Sequence, residues 1–462
     1  MKKLLFIFSV ILFIILCGYF FIRAENYDLS ERLRHHLYPK LFLQIQGYAP
    51  SEERLNEAFN WDLLVLDAEL VANFPEYLGS NGKIRQNNPY AIILLYFSAA
   101  DVIPGNTATV NGGFISGLKD EWYMKDINGA RYLLFELSPG DWTEMLNLTT
   151  LVNSYMPNYL NEHVISTNLG DGIFFDWIME SIAWLNHRTD TPSALPDIDN
   201  DGIADSDSKL DSLWINGTKK LLINCHNIFP SGTLITGNGG WDYNDPPYKN
   251  IMNGSMIESF LNFVSTGEFV WHGLMRAYYL MQEVLAEPMA SMMTLSSGNQ
   301  NDFKFMRFAF ASTLMFDGYF CYTNSGLYGE PWWYDEYSVN NFTGEAVKSL
   351  GWKGYLGSPV SEAYDAENSN ILLKDLLLND DTTSEEKVWR RDFEYGTVLV
   401  NPSLSSKTVN LNGNFRKIKG IYDPSFNNGQ ENITSITLEP RSGVVLLNYN
   451  LPPKKKKGRS RR

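Results

Sequence analysis

Positive charge is in short supply in this chain. Thirty-eight Lys and Arg stand against 53 Asp and Glu, a net charge of −15, and phosphate contacts need the opposite balance, which argues against a nucleic-acid partner. Cysteine is scarcer still. Cys17, Cys225 and Cys321 form no metal-binding spacing and no disulfide framework, so a single Cys225–Cys321 bridge is the one pairing left open. No internal repeat of fixed period is present, which excludes a solenoid, and the only low-complexity stretch is a basic run at the end. Apolar residues, by contrast, are plentiful. At 44% hydrophobic and 14% aromatic, 462 residues are ample for one large core plus a smaller domain, and disorder is not the class. The 12 Trp and 25 Tyr suit stacking against sugar rings, although most such residues serve as ordinary core.

The two ends differ from the body. Lys2 and Lys3 precede an apolar stretch from Leu4 to Ile22, which at ~1.5 Å per residue is long enough to cross the hydrocarbon core of a bilayer. Residues 1–24 are therefore expected to be a membrane anchor, with the remainder facing out of the cytoplasm, or else a signal peptide whose cleavage would secrete it. Ile22-Arg-Ala24 is a poor cleavage site, and Ile14-Ile-Leu-Cys17 lacks the small residue of a lipoprotein signal, so the anchor is favoured. Residues 452–462, Pro-Pro-Lys-Lys-Lys-Lys-Gly-Arg-Ser-Arg-Arg, read as a solvated, disordered basic tail.

Between the ends, strand-like and helix-like patterns alternate. Candidate strands are Leu41–Gln46, Leu63–Glu69, Ala91–Ser98, Tyr132–Ser138, Gly172–Ile178, Thr233–Asn238, Ser255–Phe260 and Met289–Leu295. Helical patterns at Ser51–Asn60, Leu151–Val164 and Asp207–Asn224 fall between them. Eight strands alternating with helices predict an α/β fold, a (β/α)8 TIM barrel over 36–380. The barrel is expected to end with a closing helix, Phe303–Leu314, and an aromatic loop through Trp332, Trp333, Tyr334 and Tyr337 that covers the site. From about Trp389 short β segments separated by Gly, Asn and Pro turns predict a small C-terminal antiparallel β-sandwich over 386–450.

Two of the barrel strands deliver carboxylates. Gly172-Ile-Phe-Phe-Asp-Trp-Ile178 ends with Asp176, and Asn253-Gly-Ser-Met-Ile-Glu-Ser-Phe260 contains Glu258; runs this apolar are buried on both faces, and an acid at the C-terminal end faces the loops where barrel enzymes do chemistry. A glycosidic bond is cleaved by such a pair, one carboxyl protonating the leaving oxygen while the other attacks the anomeric carbon or activates water. Helix caps and ion pairs also place acids after strands, so each acid has a structural reading beside the catalytic one. Asp67, Glu69, Glu136, Trp177 and Asn238 are the candidate sugar-binding residues, with support of a neighbouring side chain or loop anchoring as the alternative for Glu69 and Glu136. Asn238 stands between glycines that let the backbone approach a ligand closely.

A third feature is Asp197-Ile-Asp-Asn-Asp-Gly-Ile-Ala-Asp205. Asp197, Asp199, Asp201 and Asp205, with the Ile203 carbonyl and a turning glycine, have the spacing of a calcium loop, although the twelfth position is Ser208 in place of Glu. Without that bidentate ligand the site would be weaker, or completed by Asp207 or Asp211. The expectation is a structural Ca²⁺ with no cofactor in the catalysis itself, against an acidic surface loop that binds nothing.

Several segments in order now carry a resemblance: Phe174-Phe-Asp-Trp177, Thr236-Gly-Asn-Gly239, Met256-Ile-Glu258, Met306 to Gly318, Trp333-Tyr-Asp-Glu336, Tyr355-Leu-Gly-Ser-Pro359 and Trp389 to Gly396. Together they resemble a hypothetical TIM-barrel glycosidase-like family near the polygalactosaminidase and alpha-galactosidase groups of glycoside hydrolases. Gly396 to Pro402, Ile421-Tyr-Asp-Pro424 and Leu438 to Gly443 look like the β-sandwich that follows many such barrels. The resemblance implies Asp176 as nucleophile or base and Glu258 as acid. Its implied activity is hydrolysis of O-glycosidic bonds in an extracellular or envelope polysaccharide or oligosaccharide. The alternative is a non-catalytic carbohydrate-binding protein on a decayed barrel, which would use the same cleft without bond cleavage.

Overall fold

Eight short strands, each almost wholly buried, form the centre of the molecule. The computed structural model describes residues 27–239, 249–262, 264, 270–324 and 330–449; the expected N-terminal anchor and the basic tail lie outside them. The strands are β1 (Phe42–Ile45), β2 (Leu63–Asp67), β3 (Ile92–Ser98), β4 (Gly172–Ile178), β5 (Leu234–Gly239), β6 (Gly254–Ile257), β7 (Met292–Ser297) and β8 (Tyr319–Asn324). They pair in sequence order, every pair parallel. A parallel bridge between Leu41 and Phe320, with the Phe320 amide donating to the Lys40 carbonyl at 3.0 Å, joins the last strand to the first. The sheet is a closed (β/α)8 barrel.

Helices cover the strands on the outside, as parallel sheets require. Among them are α1 (Glu52–Glu57), α2 (Thr109–Ser116), α3 (Val152–His163), α4 (Asp207–Ile228), α5 (Trp271–Val284) and α6 (Phe303–Thr313). Among the described residues no helix is long and apolar enough to cross a membrane. Cys225 on α4 and Cys321 on β8 are both free and buried, so the bridge left open by the sequence is not formed.

Three sequence expectations are corrected. Tyr132–Ser138 is a strand, Leu133–Ser138, but it belongs to a three-stranded antiparallel sheet inserted between β3 and β4, paired with Asp141–Met145. Its end is exposed at Glu136, Leu137 and Ser138, whereas a barrel strand is covered on both faces. The missing eighth strand is β8, so α6 does not close the barrel but leads into its last strand. The aromatic loop does not cover the site either. Trp333, Tyr334 and Tyr337 are buried, with Trp333 and Tyr337 packed edge-on to Trp61 at ring distances of 5.8 and 5.9 Å, and Tyr337 also packed on Phe310.

The C-terminal domain is one seven-stranded antiparallel sheet that begins earlier than expected. In chain order its strands are β9 (Tyr364–Asp365), β10 (Asn368–Leu372), β11 (Trp389–Phe393), β12 (Gly396–Asn401), β13 (Lys407–Lys417), β14 (Ile433–Leu438) and β15 (Ser442–Asn448), paired in the order β10-β9-β11-β12-β15-β13-β14. Period-two alternation gives it two apolar faces. Val398, Val400, Val445 and Leu447 join the barrel core, while Leu399, Val444 and Leu446 build a second core with Val409, Leu411 and Phe415 from β13. The two units are joined through α6. Gly443 on β15 lies so close to that helix that a Cβ there would be 2.4 Å from the Ala311 side chain and 2.5 Å from the Arg307 carbonyl.

Candidate active site

Asp176 and Glu258 meet in one cavity. It measures about 440 Å³ and lies at the C-terminal mouth of the barrel, lined among others by Asp67, Tyr96, Asp101, Asp176, Trp177, Asn238 and Glu258. Asp176 sits on β4 and Glu258 follows β6, with β5 between them. At ~4.8 Å per strand spacing their backbones are roughly 10 Å apart, and both side chains enter the same space.

Each acid is held by its neighbours. The Tyr96 hydroxyl donates to Asp176 Oδ2 at 2.7 Å, and the Trp177 amide donates to Oδ1 at 2.9 Å. Glu258 Oε2 accepts from the Asn238 side-chain amide at 2.9 Å. The residue after each acid takes a left-handed backbone, Trp177 at φ 58° and Ser259 at φ 55°. For a bulky residue such as Trp this conformation is costly, and strain of this kind concentrates where side chains must be aimed.

The electrostatics are those of a crowded acidic site. Burial pushes the Asp176 carboxyl up to about 6; the Tyr96 hydrogen bond opposes the shift, and the charges of Glu258 and Asp101 add to it. Asp67 is also pushed up to about 6 by burial, against hydrogen bonds from the Glu69 and Gly47 amides. Burial raises Asp101 as well, against hydrogen bonds from Ser98 and Thr143. Burial and the Asp176 charge hold the Tyr96 hydroxyl well above its ordinary value, so it remains a donor.

Of the residues expected to bind sugar, Asp67, Trp177 and Asn238 line the cavity, whereas Glu69 and Glu136 do not. The Glu69 carboxylate is wholly buried and accepts the Val110 and Asn111 amides at 2.9 and 3.1 Å, capping the start of α2, which has no side-chain cap of its own. Glu136 accepts the Gly140 amide at 2.7 Å within its hairpin turn. Asn238 is in place for a reason other than the one expected. A Cβ on Gly237 would lie 2.4 Å from the Phe175 carbonyl and 2.5 Å from Ile178, so this glycine makes room for the neighbouring strand and not for a ligand. Sequence reasoning missed Gln44, Tyr48, Tyr96, Asp101 and Phe135, all in the lining. Gln44 and Tyr96 were accessible to it as lone polar-tipped positions within otherwise apolar strands. Phe135 packs on Trp177 at 4.7 Å, and Trp184 lies 5.7 Å from Trp177, giving the cavity an aromatic wall.

The acidic loop lies in the connection between β4 and α4, and none of its acids lines the cavity. Gly202 makes the expected turn at φ 82°, and carboxylate oxygens of Asp197, Asp199 and Asp205 come within 4.8 Å of one another. Three such oxygens suit a hard cation. Asp201 instead caps the Ile203 amide at 2.8 Å, and the Ile203 side chain is exposed. Lys209 supplies positive charge, its Nζ lying 2.7 Å from Asp199 and 2.5 Å from Asp205. Asp207 and Asp211, expected to complete the loop, are engaged elsewhere. Asp207 bonds Asn186 and His187, and Asp211 accepts from Ser181, Ile182 and Ala183.

Comparison with family models identifies the family. The model of hypothetical glycosyl hydrolase family 15 matches residues 85–397, well over half of the chain, and the chain belongs to that family. No curated protein matches. Among solved structures, Amy13B of Eubacterium rectale is similar at 10% identity and a TM-score of 0.43, covering 91% of this chain and 99% of its own. The isomalto-dextranase of Arthrobacter globiformis T6, complexed with panose, is similar at 11% identity and a TM-score of 0.40, over 90% of this chain and 73% of its own. The alpha-amylase of Geobacillus thermoleovorans, complexed with acarbose, is 10% identical at a TM-score of 0.39, over 88% of this chain and 98% of its own.

Proposed function

We propose, with family membership as the premise, that the chain hydrolyses O-glycosidic bonds of a polysaccharide by a two-carboxylate mechanism. One observation carries the reading: Asp176 and Glu258 enter the same cavity at the barrel mouth, close enough that the charge of one raises the pKa of the other. A pair that must straddle one bond needs this arrangement. Burial raises Asp176 to about 6, and the two donors on it offset part of that rise, so it is ionised at neutral pH, which suits the nucleophile or base; Glu258 is then assigned as the proton donor to the leaving oxygen. Trp177 and Phe135 offer a face for a sugar ring, and Asp67 and Asn238 offer partners for its hydroxyls.

The lining also bears on the sugar. Among the described residues it holds four carboxylates, Asp67, Asp101, Asp176 and Glu258, and no Lys, Arg or His. Residues 240–248, 265–269 and 325–329 contain none of these cations in their sequence. From the described lining an acidic sugar would meet like charge, so the substrate we infer is neutral or bears an amine. The apolar stretch Leu4 to Ile22 supports an anchored or secreted enzyme acting outside the cytoplasm. The acidic loop is proposed to take a structural Ca²⁺ in competition with Lys209.

The experiment is a reducing-end release screen of the protein against galactan, glucan, amino-sugar and uronate polymers, with Asp176→Asn and Glu258→Gln alongside. Release by wild type alone is expected. Full activity in both variants would sink the assignment, and tight binding without release by any of the three would favour the carbohydrate-binding alternative.

A further inference from the structure

A second cleft, with no residue in common with the first, encloses about 530 Å³ on the flank of the barrel. Leu43, which lines it, adjoins Gln44 on β1; the two point to opposite faces of the strand, and Gln44 enters the catalytic cavity. Ser51 and Arg54 reach the cleft from the segment after β1, Gln300 from that after β7, and Trp332 from that after β8. The cleft thus runs along the flank from the end that carries the catalytic mouth down to Trp61, which precedes β2. Tyr422, from the C-terminal domain, forms its far side.

We propose that this cleft is a second glycan-binding site, holding a polysaccharide chain by stacking sugar rings on Trp332 and Tyr422. The proposal rests on the glycosidase reading only for the choice of ligand.

The first argument is how Tyr422 is held. Its side chain is 44% exposed and that of its neighbour Ile421 is 67% exposed, yet the turn they occupy is anchored on a carboxylate that is 2% exposed. Asp335 accepts the backbone amides of Ile421, Tyr422 and Asp423 at 2.7, 3.0 and 3.0 Å, and the side-chain amide of Asn427 at 3.2 Å. Arg307 holds Asp423 from the other side at 2.8 Å. Taking a carboxylate out of water is costly, and an exposed turn needs no such anchor to exist. The anchor's effect is to fix an exposed aromatic ring in place before any ligand arrives, which removes the ordering cost of binding. Asp335 lies two residues past Trp333, so the segment Trp332 to Glu336 both lines the cleft and secures its opposite wall.

The second argument is the polar lining. Glu57 and Lys348 are already paired, with Nζ 3.1 and 3.3 Å from the two carboxylate oxygens, and Lys348 also lies over the Trp333 ring at 5.6 Å. Arg54 interacts with Glu330, so four of the five charged groups in the lining, Glu53 being the fifth, are balanced; with the presented aromatic faces this suits an uncharged ligand that stacks its rings.

The test uses the Asp176→Asn protein, so that bound glycan is not consumed, titrated with maltoheptaose, isomaltoheptaose and a galactan heptasaccharide by calorimetry and tryptophan fluorescence. At least one of them is expected to fill two sites. Tyr422→Ala and, separately, Trp332→Ala should weaken one site at least tenfold and leave the other, while Trp177→Ala does the reverse. Tyr422 is exposed, so its variant keeps the fold, verified by an unchanged Tm. Parent-like affinity and stoichiometry in both cleft variants would overturn the proposal, as would no binding of any of the three glycans. Self-association that depends on Tyr422, in place of glycan binding, would assign the cleft to a second copy and overturn it too. A Tyr422-dependent glycan site in a protein that hydrolyses nothing keeps this proposal and removes the catalytic one; hydrolysis with a single binding site does the opposite.

Discussion

Replacing Asp67 by Asn is expected to stabilise the protein at neutral pH and to destabilise it slightly in acid. Asp67 ends β2 at 4% exposure, and burial pushes its carboxyl from an ordinary 3.8 to about 6. A carboxyl whose pKa is raised on folding binds its proton more tightly in the folded state. Its stabilising protonation is therefore fully present below about pH 4 and is lost as pH rises through about 6. A shift of roughly two units is worth about 3 kcal/mol at ~1.36 kcal/mol per unit. Asn carries no charge at any of these pH values and removes that term, though it sacrifices one of the two amide hydrogen bonds that Asp67 accepts, at ~1 kcal/mol throughout. The informative quantity is thus the change in the Tm difference between variant and wild type from pH 4 to pH 7.5. With an unfolding entropy of ~2.1 cal/mol/K per residue over roughly 420 residues, about 3 kcal/mol corresponds to a relative gain of about 3 °C. Scanning calorimetry at four pH values measures it. A Tm difference that stays constant across the range would refute the reasoning, since the other titrations cancel in the comparison.

Asp176→Asn and Glu258→Gln should each lower kcat/KM by at least ~10²- to 10⁴-fold, and the double variant should lose little more than the worse single one, because the two act on one bond; additive losses in steady-state kinetics would contradict a shared site. With an ionised Asp176 required, kcat/KM should rise with pH through about 6. In Glu258→Gln, assayed on aryl glycosides whose leaving group needs no acid, that limb should move to lower pH because a charge that raises Asp176 is gone; an unmoved limb would mean the two carboxyls are not coupled. Glu69→Ala should cost ~1 to 2 kcal/mol through loss of the cap on α2, read as a lower Tm with turnover per folded molecule unchanged. Millimolar calcium should raise Tm, by ~2.7 kcal/mol of added stability at a hundredfold excess over Kd, and Lys209→Ala should lower the calcium needed; no response in either protein would make the loop a closed Lys–Asp cluster.

What the sequence conveyed, and what it did not, follows from how each signal arises. Seven barrel strands were legible because parallel strands are buried on both faces and read as continuous apolar runs, and the catalytic acids were legible because each interrupts such a run at its end. The hairpin strand Leu133–Ser138 imitated a barrel strand in composition. The turn at Ser138-Pro-Gly-Asp141, with Gly140 at φ 84°, marked it as half of a hairpin, whereas a barrel strand leads into a helix. Strand β8 went unread because its aromatics, Tyr319-Phe-Cys-Tyr322, follow a helix so apolar that the helix looked like the end of the domain. The burial of α6 has another cause: it lies between barrel and C-terminal sheet and needs apolar residues on both sides. Within the site, Asp67 and Glu69 show the limit of pattern reading. They stand two residues apart on the same segment and looked equivalent, yet one enters the cavity and the other turns to cap α2, a distinction set by a helix forty residues further along the chain. Local spacing states which residues share a strand end; only the long connections, packed afterwards, decide which carboxylates are left facing the cavity and which are consumed in holding its walls.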